Sequence, residues 1–423
     1  MHKNVVFTAL VISILSLVLL SCGTKESELE AFDWPRWRGP NGDGISKETN
    51  WDPKALSGGA KILWRVNIGI GHSNVAIVNN RLYTMGHKEN ANHVFCLDAE
   101  TGRQIWRYSF KKPFPEPNST PAVDGKSVYA LGADGTLLCL KSKNGKIRWK
   151  KSLNSDFELQ PTPQGWSTSP VVEGDLLLIN ANTKEFGLGK NTGNLVWSIE
   201  DEKPKGSYGS YASPVVYDNN GTRCVLFMGP GRLNAVEVAT GKKLWSFIHG
   251  DAWHPIADPI VSESKVFISL HSTCTVLEIN GAEPRKLWGT AELVSDISTA
   301  VLVDGFLYGT HFAGRYVSTN NWNTMLRLDW PLRCISLETG AVVWEESMEH
   351  ACLITADGKL IILGIDGTLR IAEATSSSYQ ELSRGNVLGG KERKVFATPP
   401  VLCNGKIYCR DYWGDVVCID VSK

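Results

Sequence analysis

Several residues in this chain are of types that hold a flat or polyhydroxylated ligand. Trp166, Tyr208, Tyr211 and Trp253 offer aromatic faces, and His72, His254 and His350 offer imidazoles. Glu116, Asn118, Asp258 and Asp296 offer oxygens. A planar or sugar-like molecule would stack on such rings while the carboxylates fix its orientation. The same residue types also simply fill a tapering centre and hold water there, and the sequence leaves both readings open. Other chemistries lack their spacing. There is no Cys-x-x-Cys and no Cys/His pattern for zinc, so no metal site is expected. Asn41-Gly42-Asp43-Gly44 lacks the alternating ligands and closing Glu of a calcium loop and reads as a turn. No Gly-x-Ser-x-Gly supports a serine nucleophile, so no catalytic residue is assigned.

What must position the candidates is a repeat. Cys96, Thr101-Gly102 and Trp106 return as Cys139, Asn144-Gly145 and Trp149, and again as Cys334, Thr339-Gly340 and Trp344. Thr192-Gly193 with Trp197 and Thr240-Gly241 with Trp245 are the same unit without cysteine. A second signature, two apolar runs flanking a polar turn, recurs near Asn79, Asp124, Glu173, Asn219, Glu263, Asp304, Asp357 and Asn404, about every 46 residues. That is the period of a four-stranded propeller blade, and Asn-Gly and Asp-Gly accept the positive φ of a two-residue hairpin. The last unit reaches Cys418 and then lacks a fourth strand, whereas Lys61-Ile62-Leu63-Trp64 looks like a fourth strand with no first three. The expectation is an all-β, eight-bladed propeller of four-stranded blades, with the strand around Trp64 completing the last one and removing free sheet edges. Trp recurs on the outermost strand at 64, 106, 149, 197, 245, 288 and 344, and the strand near Tyr379 to Leu382 lacks it. WD40 and kelch repeats are disfavoured: Trp-Asp occurs once, outside the repeats, and Gly-Gly only at 58–59 and 389–390.

The loops leading from each Trp strand to the next blade should converge on one rim of the channel, and they carry the candidate residues. Most end in a small residue and Pro, as in Thr120-Pro121, Ser169-Pro170, Ser213-Pro214, Asp258-Pro259 and Thr398-Pro399. Between Gly309 and Leu332 one link swells to a long loop, a place where binding often sits.

Lys+Arg and Asp+Glu are both 44, which gives no basic field for nucleic acid. Residues 1–22 read as an export signal: a short basic start, an apolar stretch from Val5 to Leu20, then Ser21-Cys22-Gly23. Leu19-Leu20-Ser21-Cys22 resembles a bacterial lipobox, with Cys22 lipidated and the protein held to the outer membrane, facing the periplasm. Residues 23–32 would be a tether, 33–60 a Trp-rich leader and 61–423 the propeller, expected as a monomer. Cys96, Cys139, Cys334 and Cys418 hold equivalent places in different blades and cannot meet, so small core side chains are expected rather than disulfides.

Units of the form (Ala/Cys)-x-(Asp/Glu)-x-x-Thr-Gly-x-x-x-Trp resemble the PQQ-like β-propeller repeat, over roughly residues 33–423. The segment Trp34-Pro35-Arg36-Trp37-Arg38-Gly39-Pro40 resembles the leader that precedes many such propellers in exported bacterial proteins. Two branches follow from the resemblance. One is cofactor-free and lipid-anchored, BamB-like, an envelope scaffold that binds a protein or small-molecule partner. The other is the quinoprotein dehydrogenases, which carry PQQ and Ca2+. A saccharide-binding or sensor propeller is a further alternative. The chain lacks the adjacent-cysteine pair of many quinoprotein dehydrogenases and is shorter than they usually are, no motif fixes a calcium ligand residue by residue so none is carried over, and the non-catalytic branch is expected.

Overall fold

The computed structural model describes residues 32–110, 116–182, 184–202, 209–251, 255–280, 282–295, 297–312, 330–389 and 398–423. Eight antiparallel sheets are arranged in sequence order. Blade 1 is Ala76–Val78, Arg81–Lys88, Ala91–Asp98 and Gln104–Phe110; blade 2 is Ala122–Asp124, Ser127–Leu131, Thr136–Lys141 and Ile147–Ser152. Blade 3 is Val171–Glu173, Leu176–Ala181, Lys184–Gly189 and Leu195–Glu200; blade 4 is Val215–Asn219, Thr222–Gly229, Arg232–Glu237 and Lys243–Ile248. Blade 5 is Ile260–Ser262, Lys265–Ser269, Cys274–Glu278 and Arg285–Thr290; blade 6 is Val301–Val303, Phe306–Thr310, Leu332–Ser336 and Val342–Glu346. Blade 7 is Ala351–Ala356, Lys359–Gly364, Thr368–Glu373 and Glu381–Asn386. Blade 8 takes Val401–Cys403, Lys406–Arg410 and Asp415–Asp420 from one end of the chain and Ile62–Asn67 from the other, as the sequence predicts. The first two strands of each blade meet in a tight hairpin, with positive φ at Asn79, Asn80, Asn220, Glu263, Asp304, Asp357 and Asn404. These hairpins mark one face of the ring, and the loops between blades mark the other.

The cores lie between blades. Trp106 packs with Val94 of its own blade and Val128 and Leu138 of the next. In the outermost strand the residue before each Trp is squeezed out as a bulge, so the ladder skips from Gln104 to Trp106 and from Ile62 to Trp64. The bulge turns the indole onto the next blade. Trp64 Nε1 donates to Ala99 O (3.0 Å), Trp106 to Ser142 O (2.9 Å), Trp149 to Lys190 O (2.9 Å) and Trp197 to Val238 O (2.9 Å). Each ring covers a turn glycine, and a Cβ on Gly102 would sit 2.7 Å from the Trp64 ring. The turn thus needs Gly both for its φ of +70° and for room. The strand facing the Trp offers a small residue where the indole lies: Cys96, Cys139, Cys334, Cys418, Gly187 and Ala235. The nine described cysteines are all buried.

Blade 7 carries Ser383 where the other blades carry Trp, and the leader makes good the loss. Ser383 Oγ donates to Pro53 O (2.7 Å), and Trp51 and Leu56 are buried in the core shared by blades 7 and 8. Asp52 N donates to Val421 O (2.7 Å), the acceptor equivalent to Ala99 O.

Candidate functional site

The rim begins with the residues two places before the inner strands of blades 1 to 6 and 8. Asn74 N donates to Thr120 Oγ1, Thr120 N to Ser169 Oγ, and Ser169 N to Ser213 Oγ, each at 3.0 Å. Ser213 N then donates to Asp258 Oδ1 (2.7 Å) and Asp258 N to Thr299 Oγ1 (3.0 Å). Asn74 Nδ2 reaches Pro399 O (2.9 Å), tying blade 8 to blade 1. This belt explains the small polar residue that precedes Pro in the sequence: its side chain must accept the neighbouring blade's buried N–H. Asp258 is the belt's one charged member.

The leader runs through the channel beneath this belt. Asp33 Oδ1 accepts from Asn79 N (3.1 Å) and Glu48 Oε1 accepts from Gly405 N, so the segment enters and leaves at the hairpin face. Between those points Trp34 pairs with Ile77 of blade 1 (2.8 Å both ways), and Pro35 O accepts from Val123 N of blade 2 (2.8 Å). Trp37 Nε1 donates to Asp258 Oδ2 (2.6 Å). Arg38 Nη2 donates to Asp43 O (2.8 Å) and Ala300 O (2.9 Å), and Ile45–Ser46 adds a parallel strand to blade 7. Burial pushes the Asp258 carboxyl above its usual range while Arg38 pulls the other way. Asp258 is therefore engaged by the protein's own backbone and leader. Trp37 itself stays half-buried, so part of its ring is accessible.

On the loop face the structure gathers two of the candidates with one residue that sequence reasoning missed. The His72 ring lies 4.9 Å from the Tyr412 ring, and Tyr412 Oη donates to Glu116 Oε1 (2.8 Å). His72 N and Gly71 N donate to Pro117 O (3.0 Å) and Tyr412 O (2.9 Å), fixing blades 8, 1 and 2 around the cluster. Behind it lies Arg410, fully buried, whose Nη1 donates to Ser73 O and, at 3.0 Å, to Thr84 Oγ1. Burial and then Arg410 lower the His72 imidazole to about 4, against the pull of Glu116, so the ring is neutral at physiological pH. Burial lowers Arg410 to about 9, with Asp411 opposing. Arg410 ends the second strand of blade 8 and Tyr412 sits on the turn that follows it, not on a loop between blades. Comparison of repeat positions exposes Arg410: blades 1, 2 and 4 carry Met85, Leu131 and Met228 there.

The other candidates are spread out. Asn118 Nδ2 donates to Ser167 Oγ (3.1 Å), and Tyr211 Oη donates to Gln164 Oε1. Trp166, expected on the rim, is buried in the core of blades 2 and 3, with Nε1 donating to Asn154 Oδ1 (2.9 Å). His350 is also buried, edge-on to Trp330 (4.7 Å), which in turn packs on Phe312. Tyr208, Trp253, His254, Asp296 and Cys22 lie outside the described residues, as does most of the long Gly309–Leu332 loop.

A ring of eight four-stranded blades, clasped by its own N-terminal strand and threaded by its leader, defines the class: a β-propeller of PQQ-like repeats. The chain belongs to the family whose model is described as outer membrane protein assembly factor BamB, which matches residues 54–250 and 115–346. The chain is 27% identical over 173 residues to the quinoprotein ethanol dehydrogenase of Pseudomonas putida, covering 35% of this chain and 27% of that one. It is 22% identical over 232 residues to the outer membrane protein assembly factor BamB of Yersinia pestis, covering 50% and 56%. It thus spans from about a quarter to just over half of the length of these relatives. The crystal structure of BamB from Moraxella catarrhalis superposes with a TM-score of 0.64 at 17% identity, covering 85% of this chain and 99% of that one, a likeness of fold.

Proposed function

We propose that this chain is a non-catalytic cell-envelope propeller, BamB-like in general character, which binds another protein and is held to the outer membrane through Cys22. The observation that carries this reading is the leader inside the channel. Trp37 and Arg38 occupy the centre and use the oxygens of Asp258, Thr299 and Ala300. As placed, the described residues lend no support to a calcium-bound quinone. Among the described residues no three His, Cys, Asp or Glu side chains converge on a point, and Glu116, Asn118 and Asp258 each serve a protein partner already.

The outer surface supports protein binding. The residues that precede the buried Trp stand out to solvent, among them Leu63, Ile105 and Val343, and Val196 is 57% exposed. They flank an outermost strand whose far edge is unpaired among the described residues. An extended segment of a partner can add to such an edge through backbone hydrogen bonds, with aliphatic contacts alongside.

A second reading rests on the loop face. The His72–Tyr412–Glu116 cluster and the accessible part of Trp37 suit a small flat or polyhydroxylated ligand.

Photocrosslinkers placed at Leu63, Ile105 and Val196 in membranes should capture an envelope protein, and one at Lys143 on a turn should capture less. Recovery of no envelope partner would overturn the proposal. So would stoichiometric uptake of PQQ and Ca2+ by the purified protein with alcohol-dependent dye reduction.

A further inference from the structure

The repeat supplies its own control for an anomaly in the seam between blades 3 and 4. Two places before the residue that faces the Trp, the third strand carries Val94, Leu137 and Leu233 in blades 1, 2 and 4. The same place holds Leu332, Leu369 and Val416 in blades 6, 7 and 8. All are fully buried. In blade 3 this place is Glu185, 1% exposed. Four places after the Trp, where blades 1, 2 and 8 bury Phe110, Leu153 and Ile68, blade 3 has Asp201. Blade 5 has an acid at the second place, Glu292, but only blade 3 has carboxylic acids at both.

The seam holds them with a single amide. Asn234 of blade 4 donates its Nδ2 to Glu185 Oε1 (3.0 Å) and to Asp201 Oδ2. Asp201 is paired with Lys243 (2.7 Å) and Arg232 (3.0 Å), both from blade 4. Among the described residues Glu185 has no cation of its own, and its Oε2 is buried without a partner. It lies against Asn182, Asp201, Glu202, Gly229, Pro230 and Arg232. Among the described residues, the charged and titratable groups facing it are Asp201, Glu202, Arg232 and Lys243, with His249 against the same Gly229 turn (3.3 Å to its carbonyl). Asn180, opposite Glu185 in the sheet, is neutral.

We infer that this seam is a proton-operated joint: Glu185 carries a proton when blades 3 and 4 are closed on each other, and losing it loosens the Gly229–Arg232 turn. A second negative charge beside Asp201, with one amide between them and both cations already committed to Asp201, repels across the seam. Burial, and then Asp201, raise the Glu185 carboxyl to about 8, against Asn234 and Lys243, which places the transition just above neutrality. Asp201 is the opposite case: burial works against its charge, but Lys243, Asn234 and Arg232 outweigh burial and hold it low. The inference concerns the seam alone and stands whether the partner is a protein or a small ligand.

The test follows unfolding of the full chain by denaturant from pH 5 to pH 9. A carboxyl raised in the folded state contributes stability that is complete below its ordinary value and is lost as pH rises through the raised one. The wild type should lose about a tenfold factor in its folding equilibrium between pH 7 and pH 9 from this group. Glu185→Gln, which keeps the shape of the protonated acid, should not. Parallel profiles for the two proteins would overturn the inference. If the variant fails to fold, the wild type decides. The infrared band of a protonated carboxyl should fade between pH 7 and pH 9, while amide exchange at Gly229–Arg232 accelerates beyond that at the matching Gly364–Thr368 turn of blade 7. A band that is absent at pH 7, or a turn that stays equally protected, would overturn it.

Discussion

Trp64 lies directly opposite Cys418 in the sheet of blade 8, the same register that Trp106 keeps with Cys96, Trp149 with Cys139 and Trp344 with Cys334. A tyrosine completes each set from the next strand in: Tyr408, Tyr83, Tyr129 and Tyr308, with ring centroids 5.8 to 6.1 Å from the indole. The join between the two ends of the chain is thus built to the pattern of blades made from continuous chain. Removing its indole should open the ring. Trp64→Ala is expected to cost about 3–5 kcal/mol, measured by denaturant unfolding, and to expose Asp415–Asp420 to amide exchange. Trp106→Ala should cost a similar amount but leave the join protected.

Glycine in the turn beneath each indole should be far less replaceable than glycine in an inner hairpin. Gly102 and Gly125 both have positive φ, but a Cβ at Gly102 meets the Trp64 ring and one at Gly125 meets nothing within 4 Å. Gly125→Ala should cost about 1 kcal/mol from backbone strain alone. Gly102→Ala should cost about 1–3 kcal/mol more from overpacking. Equal losses in unfolding experiments would contradict the packing described.

Blade 7 should depend on the leader as the other blades depend on their Trp. Trp51→Ala is expected to destabilise by about 3–5 kcal/mol and Ser383→Ala by about 1 kcal/mol, the worth of one hydrogen bond. The two losses should fall short of adding in the double variant, because both act on the same contact.

The leader's hold in the channel can be read by proteolysis. Trp37→Phe removes the donor to Asp258 and should cost about 2 kcal/mol, since the acceptor is a buried carboxylate. Cleavage between Arg36 and Lys54 by trypsin should accelerate in the variant while the blades stay intact. Unchanged cleavage would show that the indole does not anchor the segment.

Acid should weaken the fold through two histidines. Burial and Arg410 lower His72 to about 4, and burial and Arg333 lower His311 to about 4. The unfolded chain takes up these protons first, so stability is unaffected above the ordinary imidazole value and falls as pH drops from there toward 4. Thermal midpoints between pH 7 and pH 4.5 should decline less steeply in His72→Asn and in His311→Asn than in the wild type.

Much of the architecture was legible because it repeats. Gly and Trp four residues apart, and polar turns at an even spacing, report local geometry, and the orphan strand at Trp64 reported the closure. The site was less legible. A loop's composition does not say which way an aromatic turns, so Trp166 looked like a rim residue although Asn154 and the core hold it inward. Tyr412 and Arg410 escaped because they sit on a turn within a blade and on the strand end before it. The Trp37–Asp258 bond escaped because 221 residues separate the partners and no periodicity links them. Glu185 stands out only once strand register reveals its hydrophobic counterparts.

The clasp also has a consequence for the order of events in time. Ile62–Asn67 is made early, yet its partner strand begins at Asp415, roughly 350 residues later. Until that distant strand is synthesised, the early one has no sheet to join, and the leader has no complete channel to thread. Nascent chain can form separate blades, but it cannot lock the ring. A polypeptide that stays unlocked until its far end is available is one that can still be passed, extended, through a narrow pore.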